Sequence, residues 1–191
     1  MITLALGWLL HSTGWFCDSL LLATVGAVLV LRSAAMAWAS PEIAGRLRFP
    51  LWFLVFAAPL PIAWHQGLSR LLQAIASRTA EEGLALCCVA TLRSGNILQL
   101  PGYTLEVGEA CSGLRQLTAM LAMAAAVAYL TGRRLRYRAA LVALAIPVAV
   151  VSNCVRAMLT GLVLVGLGPA WAEGVAHSLE GMGMAALGGA L

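Results

Sequence analysis

The chain has 191 residues, of which 61% are apolar and only 10% are charged, whereas soluble globular domains carry about 25% charged residues. A soluble monomeric domain is therefore excluded, and a lipid bilayer is the natural solvent for this composition. The 12 basic residues are all arginine and are opposed by 8 acidic residues, so the net charge of +4 favours neither a nucleic-acid partner nor an acidic substrate.

Apolar segments that approach the length of a membrane span follow one another along the chain. A helix that rises 1.5 Å per residue needs about 20 residues to cross a hydrocarbon core of about 30 Å. The sequence predicts an all-α, polytopic membrane bundle of five to six transmembrane helices, which we interpret as a single membrane domain over residues 1–191. The segments are Met1–Phe16, which is short, then Leu20–Trp38, Phe49–Trp64, Cys111–Leu130, Ala139–Leu167 and Trp171–Leu191.

Arginine clusters orient these segments in the membrane. Arg46 and Arg48 follow Arg32, and further arginines crowd the short loop at 133–138. Loops rich in basic residues remain on the cytoplasmic side. We therefore expect a multi-pass protein of the inner (cytoplasmic) cell membrane, with both loops cytoplasmic and the stretch His65–Ala110 exoplasmic.

The exoplasmic stretch contains one segment with amphipathic helical periodicity. We expect this helix to rest on the outer membrane surface with its polar face toward water. After it, the Pro101-Gly102 turn between two short segments predicts a small hairpin over residues 96–107. The helix has Leu68, Leu71, Leu72 and Ile75 on its apolar face and Gln66, Arg70, Gln73 and Ser77 on its polar face.

Three groups of polar residues interrupt the apolar sequence. An arginine at the centre of a membrane helix costs about 2.5 to 3.5 kcal/mol on insertion scales, so each group requires a reason. The groups are GEACSGLRQL at 108–117, SNCVR at 152–156, and His177 with Glu180. On the expected topology all three lie in the outer half of the membrane, so we expect them to converge there.

The residue types in these groups are suited to acyl transfer through a thiol. Cys111 is the candidate nucleophile, because a helix N-terminus and nearby cations such as Arg115 favour the reactive thiolate. His177 is the candidate general acid and base, because an imidazole can take a proton from the thiol and return one to a leaving amine. Arg156 is the candidate group for holding the substrate carbonyl or stabilising its oxyanion.

The string EACSGLR, followed by NxxR and then by a histidine in the last apolar segment, resembles the three-part signature of the exosortase/archaeosortase family. The resemblance covers roughly residues 95–181, which we interpret as the catalytic core. It implies a membrane-embedded cysteine peptidase or transpeptidase that cleaves C-terminal sorting signals of secreted proteins through a thioester acyl-enzyme. Many family members have more spans than this chain. The resemblance implies Cys111, Arg156 and His177 as catalytic residues, with Glu109, Ser112, Gly113, Arg115 and Asn153 as supporting or substrate-binding residues.

Other interpretations are open at the level of the sequence. Arg156 could instead form a structural ion pair with Glu109 or Glu180. A small transporter or channel, and a non-catalytic factor that binds a partner's membrane helix, are alternative functions. The expected partners are membrane-anchored protein substrates and the bilayer. The cysteines other than Cys111 are expected to be small packing residues. The five cysteines lack the spacing of metal ligands, and neither a metal nor another cofactor is expected.

Overall fold

The computed structural model describes residues 2–108, 113–132, 134–172 and 174. This part of the chain forms six α-helices and one three-stranded sheet. The chain divides into two compact units, Met1–His65 and Gln66–Leu191, which are described separately below. The interpretation of residues 1–191 as a single membrane domain stays a prediction.

The first unit contains three helices, α1 (Ile2–Phe16), α2 (Leu20–Trp38) and α3 (Pro41–Phe53). Ser19 caps α2, because its hydroxyl oxygen accepts a hydrogen bond from the backbone N–H of Leu22 at 3.4 Å. Pro41 opens α3, where its missing N–H costs nothing and its fixed φ suits a helix. A 3-10 turn at Leu54–Ala57 follows α3.

Helices α1 and α2 pack as an antiparallel pair with their backbones in direct contact. A Cβ added to Gly14 would overlap the backbone of Ala23, and one added to Gly26 would overlap the backbone of His11. The Nδ1 atom of His11 also donates to the carbonyl oxygen of Ala23 at 2.9 Å. Small residues allow membrane helices to approach this closely. Glycine is therefore required at both positions for the observed contact.

The prediction of Phe49–Trp64 as one continuous helix is wrong. The chain leaves the helical conformation at Ala58, whose ψ of 131° is extended, and the next helix begins at Ile62. Pro59 and Pro61 lie within this break. A proline ring clashes with a helical conformation at the preceding residue. Hydropathy does not detect the break, because both prolines lie among apolar residues.

Helix α4 (Ile62–Leu86) begins in the first unit and lies mostly in the second. Gln73 and Ser77 are buried on its inner face together with Ser69, whereas Leu71 and Ile75 are 57% and 38% exposed. Of the expected polar face, Gln73 and Ser77 are therefore buried, whereas Gln66 and Arg70 are exposed. In an apolar solvent, small and polar side chains pack inside and large apolar ones turn outward.

Two helices of the described chain are long and apolar enough to cross a membrane, α2 and α6 (Leu135–Leu167). A third span results if α3 with its 3-10 turn and α4 are counted as one broken span. Helix α5 (Leu114–Leu130) is apolar but has only 17 residues. The protein is thus a helical membrane protein, and the number of five to six spans stays a prediction. Most of the expected last span, Trp171–Leu191, lies outside the described residues.

A small antiparallel sheet lies between α4 and α5 in the sequence. It consists of β1 (Leu92–Ser94), β2 (Ile97–Leu100) and β3 (Tyr103–Glu106), in that order. Leu98 pairs with Leu105 across β2 and β3. The sequence predicts a hairpin over residues 96–107, and the structure has β1 as an additional strand beside β2.

The hydrophobic core of the second unit joins α4, the sheet and α6. Alanine occupies three of the six core positions that α4 and α6 contribute, and small residues favour close packing of membrane helices. This packing fixes the sheet against the half of α6 that carries the SNCVR motif. The buried core residues are Ala76, Ala80, Leu84, Leu98, Leu100, Val107, Cys154, Ala157, Leu164 and Ala172.

Candidate active site

The candidate site is built on the antiparallel pair α5 and α6. The Nε2 atom of Gln116, in the first turn of α5, donates to the hydroxyl oxygen of Ser152 in α6 at 3.0 Å. Gly113, which precedes α5, lies against Asn153 in α6. The start of α5 is therefore held beside the middle of α6, although the two segments are far apart in the sequence.

Gly113 has both a conformation and surroundings that require glycine. Its φ of 74° lies in the left-handed region, which L side chains rarely adopt. A Cβ at this position would lie 2.5 Å from the Cγ atom and 2.7 Å from the Nδ2 atom of Asn153. Its carbonyl oxygen accepts the first helical hydrogen bond of α5, from the N–H of Leu117 at 2.8 Å. The turn that opens α5 is thus fixed directly on the side chain of Asn153.

Asn153 in turn contacts the guanidinium of Arg156. The two residues are 3% and 6% exposed, and the Nη2 atom of Arg156 donates to the Oδ1 atom of Asn153 at 2.9 Å. A buried guanidinium is costly unless hydrogen bonds satisfy it. Gly113, Asn153 and Arg156 therefore form one continuous series of contacts across the two helices.

Other side chains near this series point elsewhere. The hydroxyl of Thr160 donates to the carbonyl oxygen of Arg156 at 2.9 Å, within its own helix. Arg115 is exposed, whereas its neighbours Leu114 and Leu117 are buried. The guanidiniums of Arg115 and Arg156 are therefore in different environments.

Four of the expected site residues lie outside the described residues, namely Glu109, Cys111, Ser112 and His177. The convergence of the thiol, the guanidinium and the imidazole therefore stays a prediction. The alternative ion pair of Arg156 with Glu109 or Glu180 is likewise untested, because both carboxylates lie outside the described part of the chain.

The remaining cysteines have contrasting environments. Cys154 is buried in the hydrophobic core, which confirms its expected packing role. Cys17, Cys87 and Cys88 are exposed in the described chain, so their packing role stays a prediction. A residue's hydrophobicity does not reveal whether it packs against protein or faces outward in a membrane protein.

Sequence reasoning missed the contribution of Gln116. Its Oε1 atom is buried and has no hydrogen-bond partner among the residues that the structure describes, and an unsatisfied buried polar group costs about 1 to 3 kcal/mol. A buried polar atom without a partner requires an explanation. The signal was present, because Gln116 lies in the GEACSGLRQL string and Ser152 lies directly before the NxxR motif.

The chemistry available in the described part of the site is that of hydrogen-bond donors. A guanidinium and an amide, held in a protein interior, can bind a carbonyl oxygen and stabilise negative charge that develops on it. Within the described residues, no group of three or more histidine, cysteine, aspartate or glutamate side chains is arranged to hold a metal ion.

Comparison with known proteins identifies the family. A family model described as transmembrane exosortase matches residues 1–191, the whole chain. No curated protein and no solved structure matches the chain. The family match confirms the resemblance carried by the EACSGLR and NxxR motifs. The chain belongs to the transmembrane exosortase family.

Proposed function

We propose that this protein is a membrane-embedded cysteine peptidase or transpeptidase that cleaves C-terminal sorting signals of secreted, membrane-anchored proteins. Membership of the transmembrane exosortase family supports this class of function over a transporter or a non-catalytic assembly factor. The observation that carries the proposal is the series of contacts from Gly113 through Asn153 to the buried Arg156.

The covalent chain supports placing the nucleophile near Arg156. Cys111 precedes Gly113 by two residues, and two residues of fully extended chain span at most about 7 Å. Gly113 is itself fixed against Asn153, which binds Arg156. Chain connectivity therefore supports the proposal that the thiol acts together with this guanidinium.

The position of the last segment supports His177 as the third catalytic group. Ala172 is buried in the same core as Cys154 and Ala157 of α6. His177 follows Ala172 by five residues, a chain length that spans at most about 18 Å. The length of this connection is compatible with a role for His177 beside α6.

The proposed reaction is acyl transfer in two steps. The Cys111 thiolate attacks the carbonyl carbon of the scissile peptide, a carbon–sulfur bond forms, and Arg156 stabilises the oxyanion. His177, which has taken the thiol proton, gives it to the leaving amine as the carbon–nitrogen bond breaks. Water or an acceptor nucleophile then releases the acyl group from the thioester and returns a proton to His177.

The supporting residues position these groups and the substrate. Asn153 orients the guanidinium of Arg156, and Gly113 allows the turn after Cys111 to approach Asn153. We assign the unpartnered Oε1 atom of Gln116 to a backbone N–H of the substrate peptide. Supporting roles for Glu109, Ser112 and Arg115 are carried over from the family motif.

The antiparallel pair α5 and α6 supports an exoplasmic site. The arginine-rich loop joins the two helices at one end, and Gly113 and Asn153 meet at the other. The 17 residues of α5 separate these ends by about 25 Å, close to the thickness of the hydrocarbon core. If the arginine loop is cytoplasmic, the site faces the opposite side.

The proposal is tested by co-expressing the full chain with a secreted protein that ends in a sorting motif, an apolar span and a basic tail. Immunoblots then follow the size of that substrate. Cys111→Ala is expected to abolish cleavage at unchanged enzyme abundance, whereas Cys87→Ala, a change at an exposed cysteine, is expected to leave it intact. Cleavage by the Cys111→Ala variant at the normal rate would refute the mechanism.

Thiol labelling separates catalysis from scaffolding. In a background with Cys17, Cys87 and Cys88 replaced by serine, the exposed cysteines of the described chain no longer react. A membrane-permeant thiol probe at neutral pH should then label Cys111, and labelling should fall in Arg156→Ala or His177→Ala. Equal labelling in all three proteins would favour a thiol with no catalytic environment.

A further inference from the structure

The first unit contains a cavity of about 320 Å³ where the end of α2 meets the start of α3. Its volume is in the range of pockets that hold small ligands. The wall combines two guanidiniums with apolar groups, and none of the lining residues is acidic. The lining residues are Arg32, Met36, Pro41, Ala44, Gly45 and Arg48.

The two arginines give this cavity a positive charge that nothing in its wall offsets. Neither Arg32 nor Arg48 forms an ion pair with an acid in the part of the chain that the structure describes. Glu42 lies in the first turn of α3 but does not line the cavity. Two like charges in one cavity repel each other, whereas an anion bound between them is attracted to both.

The start of α3 adds further donors at the same place. Pro41, the first residue of this 13-residue helix, lines the cavity. The capping residue Ser40 makes no side-chain hydrogen bond to the first turn. A helix N-terminus carries a partial positive charge and unpaired N–H groups, which favour a phosphate or carboxylate.

We propose that this cavity binds the phosphate of an anionic phospholipid headgroup. An amphiphilic ligand fits better than free phosphate, because Met36 and Ala44 provide apolar wall beside the guanidiniums. The position agrees, since α2 is a candidate span and Trp38 at its end is 93% exposed. Tryptophan is enriched where a span meets the headgroup layer. The proposal does not depend on the catalytic function.

Native mass spectrometry of the purified full chain in detergent, titrated with phosphatidylglycerol, tests the site. Arg32→Gln and Arg48→Gln should each weaken lipid binding by about fivefold, the effect of one basic residue at an anionic surface. Arg46 lies in α3 together with Arg48 but does not line the cavity. Arg46→Gln removes the same charge and should leave lipid binding unchanged. An equal loss in all three variants would overturn the proposal in favour of general membrane electrostatics.

A variant that keeps every charge gives an independent test. A Cβ at Gly45 has no atom within 4 Å, so Gly45→Leu should fill the cavity without a clash and improve the helix propensity of α3. Thermal unfolding should show intact folding with the stabilisation by phosphatidylglycerol lost. Unchanged lipid stabilisation in this variant would overturn the proposal, and equal stabilisation of the wild type by soluble glycerol phosphate would overturn the lipid assignment.

Discussion

Two helix pairs open and close the described chain, α1 with α2 and α5 with α6. Both pairs are antiparallel and both depend on glycine, but the glycines make different kinds of contact. In the first pair, Gly14 and Gly26 bring one backbone against another. In the second, Gly113 brings a backbone turn against the side chain of Asn153. In the first pair the glycines bring two backbones together beside the hydrogen bond of His11 to Ala23, whereas in the second pair Gly113 contacts a polar side chain that itself binds Arg156.

The distribution of buried polar side chains follows the same division. In the described residues, every buried polar or charged side chain lies in the second unit, on α4 or α6. Buried polar groups in a membrane protein are costly and are usually functional. The described side chains with this property therefore belong to the second unit, where the proposed chemistry lies. The following predictions test this contrast.

The largest effect is expected from Arg156→Lys. Lysine keeps the charge but replaces the planar guanidinium with a single ammonium, so the bond to Asn153 and the oxyanion contact cannot both be made. Removing one such donor lowers the rate by about a hundred- to a thousandfold. Substrate cleavage rates in membranes measure this loss, with Arg70→Lys at an exposed position of α4 as the control. A decrease below about tenfold would assign Arg156 a structural role.

Gly113→Ala should lower cleavage by about a hundredfold, because the added Cβ displaces the turn after Cys111 and small displacements in a site are costly. Gly95→Ala is the matched control. Gly95 also has a positive φ, of 66°, but a Cβ there meets no atom within 4 Å. Both substitutions place a Cβ on a backbone with positive φ, but only in Gly113→Ala does this Cβ overlap the side chain of Asn153. Equal activities would show that the contact with Asn153 has no catalytic consequence.

Gly14→Ala should destabilise the protein without changing its chemistry. The new methyl group overlaps the backbone of Ala23, and overpacking of this kind costs about 1 to 3 kcal/mol. The detergent-solubilised protein should unfold at a lower temperature, while the cleavage rate per folded molecule stays at the wild-type value. Gly45→Ala, in open space in the same unit, is the control. A lower cleavage rate per folded molecule in Gly14→Ala would show that the first unit also affects catalysis.

The smallest effect is expected from Gln116→Leu, which removes the proposed acceptor for the substrate backbone together with the hydrogen bond to Ser152, while the contact of Gly113 with Asn153 still holds α5 beside α6. One neutral hydrogen bond contributes about 0.5 to 1.5 kcal/mol, so KM should rise about fivefold with kcat unchanged. Gln99→Leu, at an exposed position in β2, should leave both constants unaltered. A fall in kcat at constant KM would instead place Gln116 in the transition state.

Sequence patterns identify the parts of this protein that depend on local composition. The motif residues Asn153 and Arg156 do lie together, because NxxR places them one helical turn apart. The region of α6 was also evident, because a long apolar segment predicts a membrane helix. The family followed from the order of the motifs, and the match over residues 1–191 confirms it.

Other features depend on contacts that no local pattern records. The periodicity of α4 does not state which positions are buried, and Gln73 and Ser77 are buried while Gln66 and Arg70 on the same expected face are exposed. The break at Pro59 and Pro61 was hidden by their apolar neighbours. Gln116 gained its importance only from a partner in α6, Ser152.

The contact between Gly113 and Asn153 also sets an order of events during biogenesis. The two residues belong to different helices, so they can meet only after both α5 and α6 have left the translocon and paired in the bilayer. The Asn153 side chain, which binds Arg156, is therefore met by Gly113 only in the fully paired hairpin of α5 and α6.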